Sequence, residues 1–587
     1  MLSVLGNWTI ATLLAFPIGF CMLHLIADRL NYKIRYLSSY IVAGLVFLTV
    51  YAQIFSLFSK VSALSFFLLI PIALISLVFQ AKKIPEAFRA RKKPIPEWVL
   101  LVFGILLFAY ASSRGYMAYD TSLYHAQAIR WIEEYGVVKG LALFHFRLGY
   151  NSAAFALSAL FSFSWTGMQP MHCMAGYFLL LLFSPVIRLY EIIVRKQLRL
   201  SDFIRIGIFY YITLVLFEVV APASDFFATG IVFFLVYRYV TLLEEEEESF
   251  VPYALLSVLA LYAITLKFSA GLMVLLVIKP LVTLIREKKR GTTVFFILLG
   301  LTVLLPTLIR GYLISGWPLY PSTMLGFLHP DWQIPAELAA RDAAEIRFWG
   351  QRIPELGNYN ATFREWFPFW FKSESLPNKG FLILDAAGIL MSFSVFPFLS
   401  FGKKSAETDR KKRRKRQSIL LLCTTLSASF FLWFTAAPLV RYGYAFVILP
   451  GLCAAGFLYT FLTEEFFPVN ASPVSEERTK EESSHPKKNA LPGKILTVSI
   501  LVVFTAFLLY KGVMIGKDFV AFLKYPFYIT AMPYEEYPTE SYTIGNQTFY
   551  KPVSGDQTGY EKFPAGPYEF YYSLRGNSLK DGFTISP

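Results

Sequence analysis

The chain is built from repeated runs of roughly 17–23 uncharged, mostly apolar residues, each long enough to cross about 30 Å of hydrocarbon as helix. A soluble fold with many buried helices has no need of so many uncharged runs of that length. The composition agrees: 56% of the 587 residues are hydrophobic, 16% are charged, and the mean hydropathy is +0.50. Soluble domains carry about 25% charged residues. The candidate spans are 8–26, 38–58, 62–80, 98–114, 171–193, 203–222, 226–243, 251–267, 269–286, 293–314, 379–401, 417–436, 441–462 and 494–515. The expected fold is therefore an all-α integral membrane protein, a multi-span helical bundle crossing the bilayer about fourteen times.

A net charge of +15 would suit a nucleic-acid partner, but its placement argues against one. Most Lys and Arg residues sit in short loops beside apolar runs, where they orient a membrane protein. Placing Lys82, Lys83, Arg89, Arg91, Lys92 and Lys93 in the cytoplasm also puts Arg195, Lys196 and Arg199 inside, then 286–290, then the basic run 403–416. That alternation requires 152–166 to be a helix at the outer interface and not a crossing, since about fifteen residues are short for a span. The map divides the chain into N-terminal spans (1–97), a transmembrane core (98–462), a cytoplasmic linker (463–493), a last span (494–515) and an extracytoplasmic tail (516–587). Outer loops 115–170 and 315–378 belong to the core. The tail alternates like short strands in SYTIGNQTFYKPV, so a small β-rich appendage is expected there.

Cys21, Cys173, Cys423 and Cys453 all fall inside apolar runs, so no disulfide framework is indicated. Residues 1–7 lack the positive start of a cleavable signal peptide. His145 and His172 have no metal-ligand spacing with a second His or Cys; no cofactor is indicated, with a divalent metal left open. Phosphate-loop, dinucleotide, zinc-protease and nucleophile-elbow motifs are absent in usable contexts.

The chemistry-bearing stretch is the first outer loop, YMAYDTSLYHAQAIRWIEEYGVVKGLALFHFRLGYNS, with Asp120, Tyr124, His125, Arg130, Arg147 and Asn151. In a helix over 121–135, Asp120, Tyr124 and His125 share one face. Asp120 suits proton abstraction from a hydroxyl, while its spacing favours an N-cap; the two roles are compatible. Tyr124 and His125 read either as site residues or as interfacial side chains. Asp225 in APASDFFATG falls at another outer turn, again with an N-cap reading. Lys267, Arg310 and Arg441 sit at outer ends of spans, as site cations or snorkelling residues. Asp331 and Trp332 in the second loop suit a sugar ring or are surface filler.

A span, an outer loop with an early Asp, an interfacial helix and a long series of spans resemble the GT-C superfamily of membrane glycosyltransferases. More closely, YDTSLYHAQAIRWIEEYGVVKGLALFHFRLGYNS, RGYLISGWPLYPS with PDWQIP, PLVRYGYAF and SLRGNSLKDGF resemble a family of bacterial polytopic membrane proteins, from about residue 98 onward. The resemblance implies a transferase in the bacterial inner membrane, moving a sugar from a polyprenyl-phosphate donor to an envelope glycan or glycoconjugate on the outer side. Asp120 would then be the general base. Arg147, Lys267, Arg310 and Arg441 would face the donor phosphate, with Tyr124, His125, Asp225, Tyr320, Asp331, Trp332 and Tyr442 completing the substrate site. The alternatives are a transporter or flippase of lipid-linked glycans and a non-catalytic polysaccharide-assembly subunit. Transporters favour broken, polar spans at mid-membrane, whereas the polar residues here gather at outer ends.

Overall fold

The computed structural model describes residues 1–89, 94–195, 197–353, 359–401, 407–465 and 491–585. Arg91, Lys92, Lys93, Lys196 and most of the expected linker lie outside that set.

Among the described residues, nine helices are long and apolar enough to cross a membrane. The chain is thus a multi-pass membrane protein in a lipid bilayer. The nine are Leu2–Arg29, Leu37–Phe58, Ala63–Gln80, Ile95–Ser113, Ser224–Glu244, Phe268–Arg286, Arg290–Ser315, Lys411–Ala436 and Val440–Thr463. The span expected at 379–401 is a pair, Leu376–Phe393 and Val395–Phe401, bent by 43°. Two others are shorter than expected, Met174–Ile187 and Leu200–Val215, and Phe250–Leu266 has the expected 17 residues. Leu200–Val215 stops early because the chain unwinds through 216–223 before the next helix. The last expected span lies within the helix Leu491–Leu523.

Close backbone approach sets the first pair. A Cβ on Gly19 would lie 1.9 Å from the Tyr40 carbonyl oxygen, and one on Gly44 would lie 1.9 Å from that of Ala15. Small residues permit such contact where helices meet in lipid.

The basic loops share one end, as the charge map requires. Arg35 pairs with Glu245 at 3.0 Å, Lys33 with Glu86 at 3.9 Å, and Lys411 with Glu248 at 3.1 Å. At the opposite end the N-terminus meets the start of the tail, Leu2 N–H donating to Tyr528 O at 2.8 Å.

The segment 152–166 forms a short helix, Ala153–Leu160, followed by a 3-10 turn, and so does not cross. Every residue of that helix is buried. Protein covers it on all sides, which corrects the expected interfacial placement. The tail carries the expected strands: Thr539–Ile544 pairs antiparallel with Gln547–Pro552, and Ser573–Leu574 with Phe583–Thr584. Its core packs on Phe144 of the first loop, whose ring lies 5.5 Å from Phe549, 5.3 Å from Phe570 and 5.7 Å from Phe583.

Candidate functional site

Four ionisable side chains from distant stretches meet at the end of the bundle away from the basic loops. Asp120 ion-pairs with Arg441, and Lys267 with Asp225. Arg441 Nε also lies 3.8 Å from Asp225 Oδ2, which joins the pairs into a neutral quartet.

Local structure explains the convergence. Asp120 precedes a π-helical turn, Thr121–His125, a form often found at functional sites. Its carboxylate makes no capping hydrogen bond. Asp225 lies in the first turn of Ser224–Glu244, where the helix dipole favours a negative charge, and it too does not cap. Both carboxylates are committed to cations, so neither N-cap reading holds. Lys267 is the extended residue between Phe250–Leu266 and a ten-residue 3-10 run, Phe268–Val277. Arg441 lies in the 3-10 turn Val440–Gly443 between two long helices. Short joins thus hold both cations at the bundle end, where neither can snorkel away.

The quartet is graded in exposure. The Asp225 and Asp120 side chains are 8% and 14% exposed, against 24% and 25% for Lys267 and Arg441. An approaching anion therefore meets the cations before the carboxylates. Tyr442 walls the opening, its ring centre 4.3 Å from Lys267 Nζ and 5.3 Å from the Arg441 guanidinium carbon. Such placement adds cation–π attraction to the ion pairs.

His125 lies behind the quartet, buried, with Nδ1 3.4 Å from Thr121 Oγ1. Burial pushes its pKa down to about 4, more than Asp120 and Asp225 raise it, so the ring is neutral at pH 7. Burial likewise raises the Tyr124 phenol. Glu218, in the unwound stretch after Leu200–Val215, has its pKa raised by burial despite the opposing charge of Arg441.

A second polar group adjoins the first through Tyr124, whose ring meets Tyr150 edge-on at 5.6 Å. Tyr150 and Tyr320 donate to opposite oxygens of Asp342 at 3.0 and 2.9 Å, and Arg147 reaches Glu345 at 3.2 Å. Burial raises the Asp342 pKa. Burial opposes the Arg147 charge, but the surrounding Tyr150, Tyr124 and Asp342 more than offset it. Arg147 and Tyr320 therefore belong to this neighbouring group.

Three expected site residues are used elsewhere. Arg310 is 2% exposed and donates to Asn151 Oδ1 at 3.0 Å and to Ser56, inside the bundle and apart from the quartet. Asp331 pairs with Arg575 of the tail at 2.5 Å, and its carbonyl accepts from Ile585 N–H at 3.0 Å. Trp332 sits between Lys139 and Arg575, with ring distances of 5.4 and 5.0 Å. Asp331 and Trp332 thus dock the tail and do not join the quartet.

Asp342, Tyr150 and Glu218 were not foreseen. Asp342 and Glu345 stand three apart in the helix Ala336–Gln351, a spacing that puts two acids on one face and was open to detection. The tail's grip on the loop also went unseen. Gln127 donates to the carbonyls of Gly559 and Lys562 at 3.0 and 2.8 Å, and Thr558 N–H donates to Ser122 O at 2.9 Å. His172 joins Glu133 at 2.9 Å, and Tyr560 donates to the same carboxylate at 2.6 Å. Among the described residues, no group of three or more His, Cys, Asp or Glu is placed to hold a metal ion.

A family model described as a domain of unknown function (DUF8201) matches residues 1–448. The chain belongs to that family. No curated protein and no solved structure matches it. The DUF8201 match takes in all four members of the quartet and ends before the tail.

Proposed function

We propose that this DUF8201 protein is a GT-C-type glycosyltransferase of the bacterial inner membrane, with the tail extracytoplasmic. It moves a sugar from a polyprenyl-phosphate donor to a hydroxyl of an envelope glycan or glycoconjugate. The observation that carries the reading is the Asp120–Arg441 pair beside Asp225–Lys267, at the end opposite the basic loops. One carboxylate beside two partly open cations has the composition needed to hold a lipid phosphate and accept a proton next to it.

At rest Arg441 holds the Asp120 carboxylate. The donor phosphate competes for Arg441 and Lys267, releasing Asp120. The acceptor hydroxyl gives its proton to Asp120 and its oxygen bonds to the anomeric carbon. The bond from that carbon to the phosphate oxygen breaks, and the lipid phosphate leaves with the electron pair, held by the two cations. Donor binding thereby activates the base.

One feature favours the transporter reading: the bent pair Leu376–Phe393 and Val395–Phe401 contains Asp385, which is fully buried. Broken spans with buried acids suit transporters. Asp385 Oδ1, however, accepts the Gly451 N–H at 2.7 Å, a contact that serves helix packing.

The test compares a deletion strain with strains carrying wild type or Asp120→Asn, scoring lipid-linked and surface glycans by mass spectrometry. A sugar missing from both the deletion strain and a strain with folded Asp120→Asn supports transfer and names the product. Full rescue by Asp120→Asn removes the base and leaves the transporter reading in its place.

A further inference from the structure

A second feature lies at the other end of the bundle, independent of the quartet. An open cleft lies among Leu2–Arg29, Leu37–Phe58, Ser224–Glu244, Phe250–Leu266 and Arg290–Ser315. Its walls are apolar, with Leu23, Val46, Phe47, Leu256 and Val303 among them, and its rim carries Arg35, Tyr36, Ser39 and Arg238. The rim lies at the basic-loop end, because Arg35 pairs there with Glu245 and Glu247.

Arg238 is the informative residue. It is 9% exposed, donates to Ser38 Oγ at 2.6 Å, and lies 3.7 Å over the Tyr36 ring. Its buried Nε meets no acceptor among the described residues. Glu245 is taken by Arg35 and the Tyr36 hydroxyl. A guanidinium with a donor to spare thus stands at the head of an apolar trough, and the complementary group is an anionic oxygen such as a phosphate.

Length selects the occupant. The wall from Tyr36 to Val50 rises about 21 Å at 1.5 Å per residue. One leaflet contributes about 15 Å of hydrocarbon, half the usual core, so the trough fits one leaflet and the start of its headgroup layer. A long polyisoprenoid would overrun it.

We infer that this cleft binds a membrane phospholipid from the leaflet at the basic-loop end, its phosphate on Arg238 and an acyl chain between the helices. The site is separate from the proposed donor site, and its test does not require transferase activity.

The full chain is purified with exhaustive detergent exchange and weighed intact by native mass spectrometry. Wild type is expected to retain a phospholipid, and Arg238→Gln to show about tenfold lower occupancy, as loss of one charge-assisted contact implies. Ala43→Trp and Leu256→Trp, which fill the cleft from different walls, are expected to lose the lipid. Delipidated wild type is then given dipalmitoyl phosphatidylglycerol or dipalmitoylglycerol, which has similar chains and no phosphate. Uptake and a raised Tm with the first alone support the site. Equal retention by the filled variants, no uptake by wild type, equal effects of both probes, or retention of a polyisoprenyl phosphate instead would each overturn it. The probe comparison uses wild type only, so it decides even where a variant fails to fold.

Discussion

At the basic-loop end of the bundle, Lys33 faces Glu86 with both side chains more than three-quarters exposed, and Lys411 faces Glu248 much the same way. At the opposite end Asp120, Asp225, Lys267 and Arg441 use the same residue types with most of each side chain covered. Exposed pairs gain little, because water and salt screen them and the long side chains lose entropy. Covered pairs pay desolvation and repay it only with good geometry, and removing one partner strands a charge. Residue type therefore does not separate a site from a solvated loop. Covered charges drawn from several elements are the better mark of a candidate site.

The sharpest test of that contrast is Asp120→Asn. Sugar transfer by folded protein is expected to fall by roughly 10²–10⁴, the contribution of a positioned base, while Lys411→Ala leaves it unchanged. Product formed per mole of purified protein is the readout; equal losses in both variants would erase the distinction.

Acid is the next lever. Burial holds His125 at about 4 and His145 at about 3, against 6.5 for the exposed group. Below pH 6.5 the unfolded chain takes up protons that the folded chain refuses, so stability declines as pH drops toward 4. Each such histidine contributes roughly 1.4 kcal/mol per pH unit in that window at most. His125→Gln is expected to flatten the fall of Tm between pH 6.5 and 4, and an unchanged slope would mean that His125 is hydrated in the folded protein.

Double-mutant cycles give a smaller and more direct measure. Asp225→Asn combined with Lys267→Met is expected to show a coupling of about 1–3 kcal/mol in chemical denaturation. Glu248→Gln with Lys411→Met is expected to show less than about 0.5 kcal/mol. Equal couplings would mean that the first pair is as well solvated as the second.

The smallest effect is expected at Asp385. Asp385→Asn keeps an oxygen to accept the Gly451 N–H, so stability should change by under about 1 kcal/mol and transfer not at all. Loss of transfer in that variant would move attention to the bent span.

The spans were legible because hydrocarbon imposes a length and forbids charge, and a short window captures both. Lys and Arg counting groups the basic loops on one side, and the structure gathers them at one end of the bundle. The join of Asp120 to Arg441 crosses 321 residues, and no local period reports such a contact. The cations Lys267 and Arg441 were still recoverable, since a charge in a very short turn between spans has nowhere else to go. Arg310 lies instead inside the helix Arg290–Ser315, ahead of a long loop, and points inward to Asn151 and Ser56. An Asp–Trp pair suits a sugar or a neighbouring strand equally well, so Asp331 and Trp332 could not be assigned before the tail was in place.

That tail has a consequence for the order of assembly. Its Gly559 and Lys562 carbonyls hold Gln127 and its Thr558 N–H holds Ser122, in the turn and helix that follow Asp120, although they are synthesised more than 400 residues later. The loop therefore leaves the ribosome and reaches its side of the membrane long before its clasp exists. A chain halted between Arg441 and the last helix carries every residue of the quartet but lacks the piece that holds the loop after the first of them in place. Only a chain made through the tail therefore has both the quartet and its clasp.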